Sequence, residues 1–256
     1  MKFVRYRYAE EQPRYGWLYQ DKVGALEGEP FGEYRRLEAS IPLNRARLLA
    51  PVIPGKIIAV GRNYAEHAQE RGVNVPEIPL IFLKPPSSVI GVDDPIWLPP
   101  QSQRVDHEAE LAVVIGKGGR LIQPDQAWEH VLGYTIANDV TARDLQQKDG
   151  QWTRGKGFDS FCPLGPWIET DLDPSDLRIA CRVNGELRQL GSTREMVFTI
   201  PQLITFITSV MTLNPGDVIL TGTPAGIGPL AAGDTVEVEV EGIGLLSNPV
   251  RADERA

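Results

Sequence analysis

Glu108-Ala109-Glu110-Leu111-Ala112-Val113-Val114-Ile115 runs from two acids into an unbroken apolar segment and stops at Gly116. β-Branched residues gather toward its end, so it reads as a strand, and its continuous apolarity is that of a strand buried on both faces. Side chains two positions apart on a strand share a face, so Glu108 and Glu110 point the same way. Two like charges with backbones roughly 7 Å apart repel unless something positive lies between them, and a hard divalent cation with oxygen ligands answers that need. On an edge strand the same pair would only line a solvated face. The apolar residues that follow argue instead for burial, and buried acids need partners. Asp139 is the third acid in reach. It follows Gly133-Tyr134-Thr135-Ile136-Ala137-Asn138, a second segment with strand character, and an acid at a strand end is well placed at the mouth of a site.

The chain around this stretch has 256 residues, 42% hydrophobic and 23% charged, enough to bury a large core. A net charge of -8 and a pI near 5.0 disfavour nucleic acid or an anionic membrane as partner. No apolar run approaches the roughly 20 residues that span a bilayer, and Met1 to Tyr6 leads into polar sequence rather than a signal-peptide core, so the expected compartment is the cytoplasm. Cys162 and Cys181 lack a C-x-x-C spacing and read as small core residues.

Residues 1–54 alternate in short apolar runs broken by Pro, Gly and acids, a small β meander with a boundary at the prolines near 51–54. Residues 55–256 form the second, larger unit. Asn63 to Gly72 predicts a helix with Asn63 as N-cap and Gly72 just past its end. On it His67 and Glu70, at i and i+3, can touch, as a general-base dyad requires and as a wet helix face would equally allow. Pro124 to Val131 predicts a helix capped by Asp125, with His130 structural. Thr141 to Gln147 predicts another that puts Arg143 and Gln146 on one face. The Arg143 guanidinium could fork onto a substrate carboxylate, or pair with Asp139 or Asp144. The glycine-rich run 150–159 is polar enough to act as a lid. Asn184-Gly185 marks a hairpin, Pro201 to Met211 a core helix, and Thr235 to Glu241 a period-two strand with its glutamates outward. Asp217 to Thr221 leads as a strand into Gly222-Thr223-Pro224-Ala225-Gly226-Ile227-Gly228, whose glycines permit close approach of a ligand. Lys84 ends an apolar strand before Pro85-Pro86 and stays outside the expected core of the site.

Four blocks in order, H-E-A-E-L-A-V-V-I-G, A-N-D-V-T-A-R-D, G-K-G-F-D-S-F-C-P-L-G-P and V-I-L-T-G-T-P-A-G-I-G-P, resemble the fumarylacetoacetate hydrolase family over about Gly55 to Pro249. The resemblance implies a mostly β fold with short helices (α+β), a mixed β-sheet roll preceded by a small accessory β domain, and a homodimer. It implies that Glu108, Glu110 and Asp139 hold Mg²⁺ or Mn²⁺, and that Lys156 stabilises an enolate oxygen. It also favours His67 and Glu70 as the catalytic dyad, through the pattern G-R-N-Y-x-x-H-x-x-E. Arg143, Gln146, Gly222 and Thr223 are the expected substrate-binding residues. No acid lies between Gly55 and Arg62, where the tyrosine-catabolism hydrolases of the family have an extra ligand, and this weakens a fumarylacetoacetate-cleaving role. The branch it resembles comprises bacterial 2-hydroxyhepta-2,4-diene-1,7-dioate and 5-carboxymethyl-2-hydroxymuconate isomerases. The expected activity is therefore isomerisation, with decarboxylase ability, of a 2-oxo or 2-hydroxy-dienoic dicarboxylate through a chelated enolate, in aromatic catabolism. Acylpyruvate hydrolysis and oxaloacetate decarboxylation are the alternatives within the family, and a non-catalytic metal or small-molecule-binding module the alternative outside it.

Overall fold

The computed structural model describes residues 1–70, 72 and 74–254. Its centre is the strand Ala109–Ile115, every residue of which is buried. Leu111, Val113 and Ile115 join one hydrophobic cluster, while Ala112 and Val114 join another on the opposite face. Period-two alternation within an all-apolar strand thus serves two cores at once, which is why the sequence shows no polar face. Antiparallel neighbours flank it, Val131–Asn138 on one side and Val218–Leu220 on the other. Val218–Leu220 in turn pairs in parallel with Ile57–Gly61, and Leu80–Lys84 forms the edge.

On the other side the sheet continues through Cys162–Glu169 into the N-terminal strands, with Lys2 and Phe3 opposite Glu169 and Ile168. The meander expected of the first fifty residues is present as Lys2–Tyr8, Arg14–Tyr19, Lys22–Gly28 and Tyr34–Pro42, and it extends the same sheet. A five-stranded sheet, Glu186–Ser192, Arg178–Val183, Thr235–Val240, Gly244–Ala252 and Ile96–Leu98, covers one face. Ile179, Val236 and Val238 from it meet Leu111 and Ile136 of the large sheet, and the helix Ile200–Val210 adds Leu203, Ile204 and Ile207. The architecture is mostly β with mixed sheets, as expected. No helix among the described residues is long and apolar enough to cross a membrane.

Of the local details, the hairpin stands as expected and two helices depart from expectation. The hairpin turns at Asn184 and Gly185, with φ of 54° and 78°, as two left-handed residues require. Residues Pro124–His130 form a 3-10 run rather than an α-helix, and Asp125 lies in its first turn without capping it. The first helix is only Ala65–Glu70, and Asn63 does not cap it. The Asn63 amide is drawn away instead, donating to the Thr221 carbonyl (2.8 Å) and the Phe198 carbonyl (3.1 Å) and accepting from the Phe198 N–H (2.7 Å). Asn63 therefore ties the turn before the helix to the loop that follows Val218–Leu220.

Candidate metal centre and active site

The strand carrying the acids begins one residue later than expected. Glu108 is the link between Val105–His107, which belongs to a small three-stranded sheet, and Ala109–Ile115 of the central one. Its backbone is held from both ends, N–H to Asn138 Oδ1 (2.9 Å) and carbonyl from the Asp139 N–H (2.9 Å). That pairing places Asp139, at the end of its own strand, directly beside Glu108. Glu110 follows on the face of Ala112 and Val114. One carboxylate oxygen from each of Glu108, Glu110 and Asp139 lies within 4.8 Å of the others. All three residues are at most 5% exposed.

Such a cluster cannot stand without positive charge, and two lysines and an arginine enter it. Lys156 Nζ reaches Glu108 Oε2 (2.8 Å) and Asp139 Oδ2 (2.5 Å). Lys84 Nζ donates to Asp139 Oδ1 (2.6 Å) and to the Lys156 carbonyl (2.6 Å). Arg143 donates from Nη2 to Glu108 Oε1 (2.5 Å), from Nε to Asp106 Oδ2 (2.9 Å) and from Nη1 to Gln146 Oε1 (2.8 Å). Its pairing with Asp139 or Asp144 is thus not observed, since buried Asp106 and Glu108 take its fork while Asp144 binds Ser102 and the Gln103 N–H. The run 150–159 is not an open flap at this point. It contains the short helix Thr153–Lys156, packed so closely that a Cβ on Gly155 would meet Gln146 at 2.9 Å, and this contact sinks Lys156 into the site.

The electrostatics divide the acids. Burial alone would raise the Glu108 carboxyl, but Lys156 and Arg143 outweigh it and hold the group well below the usual carboxylate range. Lys156 is likewise opposed by burial and raised on balance by Asp139 and Glu108, so it stays an ammonium. Glu110 is pushed well above the ordinary value by burial first, then by Asp139 and Glu108. Its one direct partner among the described residues is the Gly222 N–H, 2.7 Å from Oε2. No cation among the described residues touches it, and a divalent ion is the group that would restore its charge. An all-oxygen set of three carboxylates suits Mg²⁺ or Mn²⁺, so the residues fit the metal that the resemblance implies.

The remaining expected site residues surround the same cleft. His67, Arg143, Gln146, Lys156 and Thr223 line it with the three acids. Glu70 stands behind His67, its Oε2 3.4 Å from Nδ1, and also accepts from the Gly226 N–H (3.2 Å). Burial lowers the His67 pKa, against the opposing pull of Glu108 and Glu70, so the ring is neutral near pH 7. Gly222 sits behind Glu110 with φ of 98°, where a Cβ would lie 2.8 Å from Asn63 Cβ, and its N–H is spent on orienting the acid. Thr223 Oγ1 donates to the Ala109 carbonyl and accepts from Gln189 Nε2, both at 2.8 Å.

Sequence reading missed Lys84, Asp106 and Gln189, each buried and each bonded to a residue of the cleft. In Leu80-Ile81-Phe82-Leu83-Lys84 the hydrophobic positions are partly exposed and the lysine is buried, the inverse of what composition suggests. Nothing in those five residues signals it, because the partner acid is 55 positions away. Phe82 and Trp152, ring centroids 5.1 Å apart and edge-on, wall the cleft.

Comparison with known proteins follows the same lines. Residues 56–251 match the family described as Fumarylacetoacetate (FAA) hydrolase C-terminal, and residues 1–51 match Rv2993c-like, N-terminal. The structure of a 5-carboxymethyl-2-hydroxymuconate delta-isomerase from Mycobacterium smegmatis aligns with a TM-score of 0.93 at 47% identity, covering 99% of this chain and 100% of that one. A 2-hydroxyhepta-2,4-diene-1,7-dioate isomerase from Mycobacterium marinum aligns with a TM-score of 0.92 at 42% identity, covering 99% of each chain. A mitochondrial oxaloacetate tautomerase from Xenopus laevis is 51% identical over 216 residues, 79% of this chain and 68% of that protein.

Proposed function

Because this chain belongs to the fumarylacetoacetate hydrolase family of enzymes, we propose that it is a divalent-metal-dependent isomerase of 2-oxo and 2-hydroxy-dienoic dicarboxylates. The observation that carries this reading is the uneven acid cluster, in which Glu108 and Asp139 have lysine partners and buried Glu110 has none among the described residues. Held by Glu108, Glu110 and Asp139, Mg²⁺ or Mn²⁺ would act as a Lewis acid on the 2-oxo and carboxylate oxygens of the substrate.

The chain's own groups supply the rest. Lys156 remains protonated and offers a fixed positive charge where an oxygen becomes negative, which stabilises charge without reorganisation. Neutral His67 has Nδ1 turned to Glu70, which leaves Nε2 to take a proton from one carbon of the substrate and return it to another. Isomerisation of a dienoate requires that transfer between carbons, and keto-enol tautomerisation requires the same abstraction from carbon with delivery of the proton to oxygen. Names among the relatives, two isomerases and an oxaloacetate tautomerase, support this class of reaction. Decarboxylation of a 2-oxo dicarboxylate would use the same electron sink without a base. Hydrolysis of acylpyruvates is the second reading, favoured by the His67 and Glu70 pair, which could equally activate water.

The meander of residues 1–54 is assigned an accessory role, since none of its residues lines the cleft. Assembly as a homodimer is supported by the edge strand Leu80–Lys84, where Leu80 and Leu83 are 36% and 48% exposed. A one-chain mass by light scattering would count against it. The cytoplasm remains the proposed compartment on composition. The deciding experiment is a panel of 2-hydroxyhepta-2,4-diene-1,7-dioate, oxaloacetate and acylpyruvates, assayed with Mg²⁺ or Mn²⁺ and after chelation. The highest kcat/KM is expected for isomerisation or tautomerisation, with all rates lost on chelation. Acylpyruvate cleavage as the fastest reaction would move the assignment to the second reading, and full activity without metal would overturn both.

A further inference from the structure

The cations of the cleft are not equivalent. Lys84 is committed to Asp139 and the Lys156 carbonyl, Lys156 to Glu108 and Asp139, and Arg143 to Asp106, Glu108 and Gln146. Arg62 also lines the cleft, is partly exposed, and has no hydrogen bond or ion pair with any described residue. It is the cleft's one cation without an anionic partner among the described residues.

Its backbone is fixed where its side chain is not. Arg62 follows the strand Ile57–Gly61 with φ of 60°, a left-handed conformation that non-glycine residues seldom adopt. Such strain persists where neighbours over-determine it, commonly at ligand sites. Here the next residue, Asn63, is anchored through its side chain to Thr221 and Phe198 and through its carbonyl to the Val197 N–H (2.8 Å). A rigid turn therefore presents an uncommitted guanidinium to a cleft whose other cations are already neutralised by acids.

We propose that Arg62 binds the carboxylate at the end of the substrate remote from its 2-oxo group, and so selects dicarboxylates over monocarboxylates. A guanidinium matches a carboxylate with two parallel N–H donors, which neither a lysine nor a backbone amide reproduces. The acids and their metal would occupy one end of the ligand, and Arg62 the other. This assignment rests on the reading that the cleft receives 2-oxo or 2-hydroxy acids.

Two stable probes separate the ends. Malate and lactate share the 2-hydroxy-carboxylate end, and only malate carries the distal anion. Binding to the Mg²⁺-loaded protein, followed by quenching of Trp152 fluorescence or by calorimetry, should favour malate over lactate by roughly ten- to hundredfold. Arg62→Gln should remove that preference while changing lactate affinity by less than about threefold, and Arg62→Lys should restore part of it. With oxaloacetate and its C4 methyl ester as substrates, Arg62→Gln should raise KM for the diacid and leave that for the ester nearly unchanged, with kcat little affected. Equal binding of malate and lactate by the wild type, or equal losses for both in Arg62→Gln, would overturn the assignment. Dianion preference without turnover of any 2-oxo acid would overturn the enzymatic reading and leave the Arg62 assignment standing. Turnover without dianion preference would do the reverse.

Discussion

Glu108-Ala109-Glu110 and Glu237-Val238-Glu239 are the same pattern in sequence, acids two apart at the start of or within an apolar strand, and the fold treats them oppositely. In Thr235–Val240 the valines are buried and the glutamates face outward, where Arg178 and Arg182 pair with Glu239 at 3.2 and 2.9 Å. Hydrogen bonding from Arg182 lowers the pKa of Glu239. In the central strand both faces are already interior, so Glu110 is buried with no cation among the described residues against it and its pKa is driven up, chiefly by burial. Solvent on one face of a sheet makes an E-x-E pair inexpensive; a second core on that face turns it into a demand for external charge.

The sharpest way to break this contrast is to neutralise one acid in each pair. Glu110→Gln should lower affinity for Mn²⁺ by more than about 100-fold and reduce every activity to background. Glu239→Gln should leave metal binding and activity unaltered and shift stability by less than about 1 kcal/mol. Calorimetric Mn²⁺ titration of both variants makes the comparison, and equal affinities would show that Glu110 is not a ligand. A second signature lies in the metal-free protein. The Glu110 pKa is raised in the folded state, so its own contribution to stability is fully present below the ordinary carboxylate value of 4.5 and is lost as pH rises through the folded value. Glu110→Gln should flatten that decline in denaturant titrations across pH.

His67→Ala comes next in expected size and separates proton transfer from metal binding. Reactions needing a base at Nε2 should slow by about 10²–10⁴-fold, while decarboxylation of oxaloacetate should suffer less and Mn²⁺ affinity hardly change. Because burial lowers the His67 pKa, the base form should persist below pH 6.5, and the acid limb of kcat/KM should fall there. Uniform losses on every substrate would assign His67 to positioning.

Among the residues of the cleft, the smallest effect is expected at Lys84. Replacing this buried ammonium by Met leaves Asp139 with Lys156 alone, so metal-free stability should drop by about 3 kcal/mol, the low end for breaking a buried pair. Saturating Mg²⁺ should recover part of the loss. An unchanged midpoint in chemical denaturation would mean that Lys84 is not part of the charge balance.

Local chemistry made much of this molecule legible. The unbroken apolar run from Leu111 to Ile115 announces a strand interior on both faces, the alternation at 235–240 a half-solvated one, and Asn184-Gly185 a tight hairpin, because each depends on neighbours along the chain. The acids Glu108, Glu110 and Asp139 were legible for the same reason, as charges where the pattern forbids them. Glu108 as a hinge between two sheets was not, since a break in pairing is decided by which strands arrive alongside. Asn63 illustrates the limit: its position promised a helix cap, and tertiary hydrogen bonds to Thr221 and Phe198, 158 and 135 residues away, claimed it instead. Lys84, Asp106 and the guanidinium of Arg62, unpaired among the described residues, carry no local mark, because whether a cation is paired or available depends on acids distant in sequence. Sequence by itself determined that the central strand is buried on both faces and which acids would need a counter-charge; only the tertiary structure decided which cations are buried to meet that need, because a strand's apolar pattern is short-range and charge pairing follows from long-range closure of the chain.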